Sequence, residues 1–246
     1  MGFKAVARQF GVIALGFVLV SGVTAVPGWA QQAQPAQQEA PQDSPMEDAV
    51  TDAPVSEKQV QIVGLGDSLM AGYQLQGDES LTSQLENALH DKGLNVSIGN
   101  AGVSGDTTEG GLARLDWSVP DGTDGVIVEL GANDALRGIA PEQTEKNLAS
   151  IIEKLQARKI GVLLVGMIAP PNMGGDYAKR FNGIYQRLAD QYKVPLYPFV
   201  LDGVATDPSL KLGDGMHPNA KGVGVMVTRM LPIMQSFTKA LADKLN

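Results

Sequence analysis

Residues 58–246 predict an α/β fold, with a parallel sheet covered by helices on both faces. Two observations carry this expectation. Short apolar runs alternate with segments of helical period along the whole stretch, joined by short connections. The unusual polar clusters all fall just after the apolar runs, at the carboxyl edge where open α/β sheets bind ligands.

The elements follow in order. Val60 to Leu65 reads as the first strand. Leu81, Leu85, Ala88 and Leu89 recur at helical spacing, and Gly93 closes that helix. His90 falls within this helix, on its expected solvated flank. Leu94 to Ile98 is a second strand, followed by a glycine-rich loop and a short helix near Glu109 to Leu115. Val126 to Leu130 is the third strand. Pro141 opens a helix with a stripe of Leu148, Ile151, Ile152 and Leu155. Ile160 to Val165 is the fourth strand, and one helix over 176–191 follows the Pro170-Pro171 loop. Val194 to Tyr197 makes the fifth strand. Pro218 then starts a terminal helical region that Pro232 is expected to kink.

The first 57 residues differ in kind. Lys4 and Arg8 precede the apolar run Phe10 to Val20, and Gly28-Trp29-Ala30 supplies a small-residue exit. That pattern predicts a secretory signal peptide over 1–30, because its apolar part is shorter than the ~20 residues of a spanning helix. Residues 31–57 are rich in Gln, Pro and Ala and carry six acids with no basic residue, which predicts a disordered linker. The expected location is therefore beyond the inner membrane, in the periplasm, with no stable span after cleavage.

Charge and composition narrow the function. Of the formal −8, the leader contributes +2 and the linker −6, leaving the domain at −4. No basic stripe points to nucleic acid. There is no cysteine, and the two histidines, His90 and His217, make a zinc site an unfavoured reading.

The chemistry gathers around "GLGDSLMAGY". Ser68 follows the first strand; Gly102 and Ser104 follow the second; Asn133 and Asp134 follow the third. Asp214 and His217, in "LGDGMHPNAKG", follow the fifth. A serine hydroxyl needs a base to become a nucleophile. A carboxylate three positions before His217 could hold its Nδ1–H and leave Nε2 for the serine proton. Taken alone, Asp214 and His217 also fit helix capping; with Ser68 at the same edge, catalysis is the stronger reading. Oxyanion donors would be the N–H groups of Ser68 and Gly102 and the Asn133 amide, although Asn133 also fits a turn. Asp67 and Asp134 are assigned to structure, and Arg114 and Arg137 to surface or loop pinning. Met70, Leu75, Ile139, Pro170, Pro171 and Met173 are candidates to line an acyl groove, with ordinary loop packing the alternative. A dinucleotide fingerprint fails because Leu69 stands where its third glycine belongs, and neither Ser68 nor Ser104 fits G-x-S-x-G.

Gly66-Asp67-Ser68-Leu69, "NAGVSGDTT", Gly131-Ala132-Asn133-Asp134 and Asp214-Gly215-Met216-His217-Pro218 together resemble the sequence blocks of the SGNH, or GDSL, hydrolase superfamily. The resemblance extends to its branch of periplasmic thioesterases, lysophospholipases and arylesterases. It implies a three-layer α/β/α sandwich with five parallel strands. It also implies Ser68 as nucleophile, His217 as base, Asp214 as its partner, and Gly102 and Asn133 as oxyanion donors. The implied activity is hydrolysis of small-molecule or lipid esters and thioesters through an acyl-serine, with neither metal nor organic cofactor. Ala132 departs from the more usual Gly-Gly-Asn-Asp block by one methyl. A carbohydrate O-deacetylase and a non-catalytic envelope binding module are the alternatives on the same fold.

Overall fold

The computed structural model describes residues 58–245. The expected signal peptide and acidic linker lie outside these residues. Among the described residues no helix is long and apolar enough to cross a membrane.

The chain runs β1 (Val60–Gly66), α1 (Ser68–Ala71), α2 (Leu81–His90), β2 (Val96–Gly102), α3 (Thr108–Ala113), α4 (Leu115–Ser118) and β3 (Gly125–Glu129). It continues through α5 (Ala132–Leu136), α6 (Pro141–Ala157), β4 (Gly161–Val165), α7 (Gly175–Asn182), α8 (Ile184–Tyr192), β5 (Leu196–Tyr197) and α9 (Ala220–Ala242). The five strands are all parallel, in the order β2-β1-β3-β4-β5, between helical layers. β3 is central and buried along its whole length, which is why Val126-Ile127-Val128 is apolar without alternation. The chain leaves β1 for β2 on one side, then crosses back to β3 on the other. That reversal opens a crevice at the carboxyl ends of β1 and β3.

α6 buries the stripe that its sequence predicts. In α6, Pro141 occupies the first turn and Leu148, Ile151, Ile152 and Leu155 are fully enclosed. Such residues contribute roughly 1.5–3 kcal/mol each. α9 covers the other face with Met226, Met230, Met234 and Phe237.

Several element limits differ from expectation, β5 among them, which spans only Leu196–Tyr197. β2 begins at Val96 and runs to Gly102, because an edge strand pairs through its backbone and tolerates Gly99 and Asn100. Helix 176–191 is two helices, α7 and α8, interrupted at Gly183. Asn219, not Pro218, caps α9, accepting from the Gly222 N–H at 3.0 Å. The expected terminal helical region is present, with Pro232 inside α9 and exposed.

Candidate active site

Ser68 begins α1 directly after the tight exit from β1. Gly66 is required there: a Cβ would lie 2.5 Å from Met70 Cβ and 2.7 Å from a Glu129 carboxylate oxygen. Asp67 caps the helix, its Oδ1 accepting from the Leu69 N–H at 3.0 Å. The Asp67 N–H donates to Glu129 Oε2 at 3.3 Å, so a second buried carboxyl supports the turn from beneath.

Arg114 ties the neighbouring strand ends together. Its buried guanidinium donates to the carbonyls of Gly66 (2.9 Å) and Ala101 (2.8 Å), and its Nε pairs with Asp106 at 2.7 Å. One cation thus holds the exits of β1 and β2. Arg137 donates to the Gly105 carbonyl at 2.6 Å. Asp134 is fully buried and accepts from the Thr108 N–H (2.8 Å) and the Thr144 hydroxyl (3.1 Å), joining the β2 loop to α5 and α6.

His217 stands on a loop closed at its base. Lys211 and Pro218 form an antiparallel bridge, and the Leu212 N–H donates to the His217 carbonyl at 2.8 Å. Asp214 Oδ1 accepts from the N–H groups of Met216 (2.9 Å) and His217 (3.0 Å), while its Oδ2 lies 2.6 Å from His217 Nδ1. A carboxylate only accepts, so Nδ1 carries the proton. Nε2 then accepts from the Ser68 hydroxyl, 2.8 Å away. Tyr73 leans on the imidazole, with ring centroids 4.5 Å apart.

Electrostatics separate the two aspartates. Backbone N–H bonds, above all from Met216, and the His217 bond hold Asp214 down to about 2. Burial pushes Asp67 up to about 6, against the opposing bond from Leu69. Glu129 lies well above the usual carboxylate range because it is enclosed and faces Asp67.

The Ser68–His217 pair opens into a cleft of about 680 Å³. Tyr73, Leu136, Ile168, Phe199, Leu201 and Met216 supply much of its apolar wall, joined by Pro170 and Pro171. Several sequence expectations change here. Met70 is fully buried, packed against Gly64 and Gly66 under α1, and does not line the cleft. Leu75, Ile139 and Met173 are half-buried beside it and do not line it either. The Gly102 N–H already donates to Asn100 Oδ1 at 2.9 Å, and a Cβ on Gly102 would overlap the Ala71 backbone. Gly102 is thus a close-packing glycine behind α1. Gly105, three residues on, lines the cleft with φ +82°, and its N–H has no acceptor among the described residues. Asn133 lines the cleft, and its amide donates to Asp67 Oδ2 (3.2 Å) and the Asp106 carbonyl (2.9 Å). His90 ends its helix rather than sitting within it, and its Nε2 lies 2.6 Å from the Val96 carbonyl. Tyr73, Gly105 and Met216 were missed. The rule that ligands sit beyond the strand ends flags their loops but not which side chain turns inward.

Residues 65–225 match the GDSL-like Lipase/Acylhydrolase family. An arylesterase of Vibrio mimicus is 41% identical over 164 residues, 66% of this chain and 82% of that protein. The thioesterase 1/protease 1/lysophospholipase L1 of Escherichia coli K12 is 40% identical over 156 residues, covering 63% and 74%. The crystal structure of AlinE4, an SGNH-hydrolase family esterase, superposes with a TM-score of 0.62 at 46% identity, covering 73% of this chain and 96% of that one. With five parallel strands between helices and that match across most of the domain, the chain belongs to the GDSL-like lipase/acylhydrolase family and is an ester-bond hydrolase.

Proposed function

We propose that Ser68 is the nucleophile of an acyl hydrolase acting on carboxylic esters or thioesters with an apolar acyl part. One observation carries this reading: the 2.8 Å Ser68–His217 and 2.6 Å His217–Asp214 contacts at the mouth of an apolar-walled cleft. Ser68 Oγ bonds to the substrate carbonyl carbon as its proton passes to His217 Nε2, and Asp214 steadies the imidazolium. Collapse of the tetrahedral intermediate breaks the bond to the leaving alkoxide or thiolate, which takes the proton from His217. Water then attacks the acyl-serine by the same route, releasing the acid and restoring the hydroxyl.

The oxyanion donors are the N–H groups of Ser68 and Gly105 and the Asn133 amide. Gly105 takes the place expected for Gly102, whose N–H is engaged elsewhere. Asn133 serves by releasing its longer bond, the 3.2 Å one to Asp67, as charge develops on the substrate oxygen. The composition of residues 1–30 supports export, and the periplasm is the proposed location.

Ser68→Ala should abolish turnover of p-nitrophenyl butyrate and labelling by a fluorophosphonate, with circular dichroism unchanged. Turnover retained by Ser68→Ala removes Ser68 from the mechanism. A wild type that takes neither substrate nor probe is the non-catalytic binding module instead. Asn133→Ala should lower kcat by about 10²–10³-fold, by analogy with other oxyanion-hole asparagines. A rise in KM alone would make Asn133 a substrate binder.

A further inference from the structure

At the opposite edge of the sheet, beside the starts of β4 and β5, lies a second cleft of about 610 Å³. Its floor is apolar: Ile160, Val194, Ile233, Phe237 and Leu241. Three lysines stand at its rim: Lys159 after α6, Lys193 after α8 and Lys244 after α9. All three are exposed, and none has a carboxylate within ion-pair distance among the described residues. In a domain of net negative charge, three unpaired cations around one apolar cleft are an unusual concentration.

Backbone conformation adds an independent observation. Among the described residues only three non-glycine residues have positive φ, and two of them are Lys159 (+63°) and Lys193 (+55°). Each occupies the left-handed position that ends a helix, where glycine is the usual occupant and a side chain costs roughly 1 kcal/mol. The helix dipole favours a cation near a helix end. It explains neither the left-handed backbone nor the convergence of three such ends on one apolar cleft. Strained positions that retain a side chain point to a use for that side chain.

We propose that this cleft is a second binding site, for a single-chain amphiphilic anion: an acyl chain along the Phe237–Leu241 floor with its carboxylate among Lys159, Lys193 and Lys244. The volume falls within the range of small-molecule sites. Charge complementarity selects an anionic head, and the floor selects a hydrocarbon tail. The identification of that ligand with the acid released at Ser68 rests on the function proposed above; the recognition chemistry does not.

The test is calorimetric titration of full-length Ser68→Ala protein with dodecanoate below its micelle concentration. The Ser68→Ala background removes turnover, so binding reads independently of the fate of the catalytic proposal, which p-nitrophenyl butyrate reads separately. Replacing Lys159, Lys193 and Lys244 together by Gln should weaken dodecanoate binding by more than about tenfold, or 1.4 kcal/mol. In the Ser68 background, the same replacement should leave ester turnover unchanged. Ala240→Asp, at an exposed position in the cleft wall, should weaken dodecanoate binding similarly by repulsion and guards against misfolding of the triple variant. Dodecanol should bind at least about tenfold more weakly than dodecanoate. Undiminished binding by both variants, or equal affinity for dodecanol, overturns the proposal. So does lysine-dependent sedimentation with phosphatidylglycerol vesicles unaccompanied by lysine-dependent binding of free dodecanoate, which would make the cleft a membrane-docking face.

Discussion

Two aspartates flank the Ser68–His217 pair, and their surroundings push them in opposite directions. Asp67 is enclosed beneath the nucleophile turn, beside Glu129, and burial raises it to about 6. Asp214 lies on an exposed loop, and three hydrogen bonds hold it down to about 2. The proposed nucleophile is thus positioned by a desolvated frame tied to the core. The proposed base is positioned by a small surface loop that supplies its own bonds. The first region is anchored in the core, and the second is anchored largely in itself.

Asp214→Ala is the strongest way to break this contrast. It should lower kcat by roughly 10³–10⁴-fold, as in other serine triads, while thermal unfolding barely moves. A large loss of stability would show that the loop belongs to the frame. Arg114→Met comes next. Removing the buried guanidinium strands Asp106 and the carbonyls of Gly66 and Ala101, and should cost about 3–5 kcal/mol of unfolding free energy. Chemical denaturation reads that loss, and a change below 1 kcal/mol would make Arg114 an ordinary surface charge.

The smallest effect is a dependence on pH. Asp67 binds its proton more tightly folded than unfolded, where its value is near 3.8. Between those two values the native state holds more protons, so stability should fall as pH rises from 4 towards 6. The Asp67 share of the fall should be roughly 2–3 kcal/mol, or about 5–10 °C in Tm; Asp67→Asn should remove that share and leave the part due to Glu129, which burial raises in the same direction. Asp214 runs the other way, but its exposure screens the effect: the small stability it adds above pH 4 is lost as pH falls through about 2. A Tm that rises between pH 4 and 6 would contradict the burial argument for Asp67.

The strand and helix order was legible because burial writes itself into period: β3 is buried throughout, with Val126-Ile127-Val128 in a row, and α6 carries one stripe. The limits of β2 were not, since an edge strand pairs through backbone that any residue supplies. Ser68, Asp214 and His217 were legible as a polar set at one sheet edge, and the structure brings them within hydrogen-bond reach. Gly102 and Gly105 share a loop, and sequence does not reveal which peptide turns its N–H towards the cleft. Met70 was misplaced because α1 is only four residues long, and a single turn leaves no stripe from which to read its inward face.

The loop bearing His217 is fastened mainly to itself, through the Lys211–Pro218 bridge and the Asp214 bonds. A segment so fastened opens without dragging the sheet along. On warming, catalysis should fade reversibly several degrees before the calorimetric transition, and cooling within that interval should restore it in full.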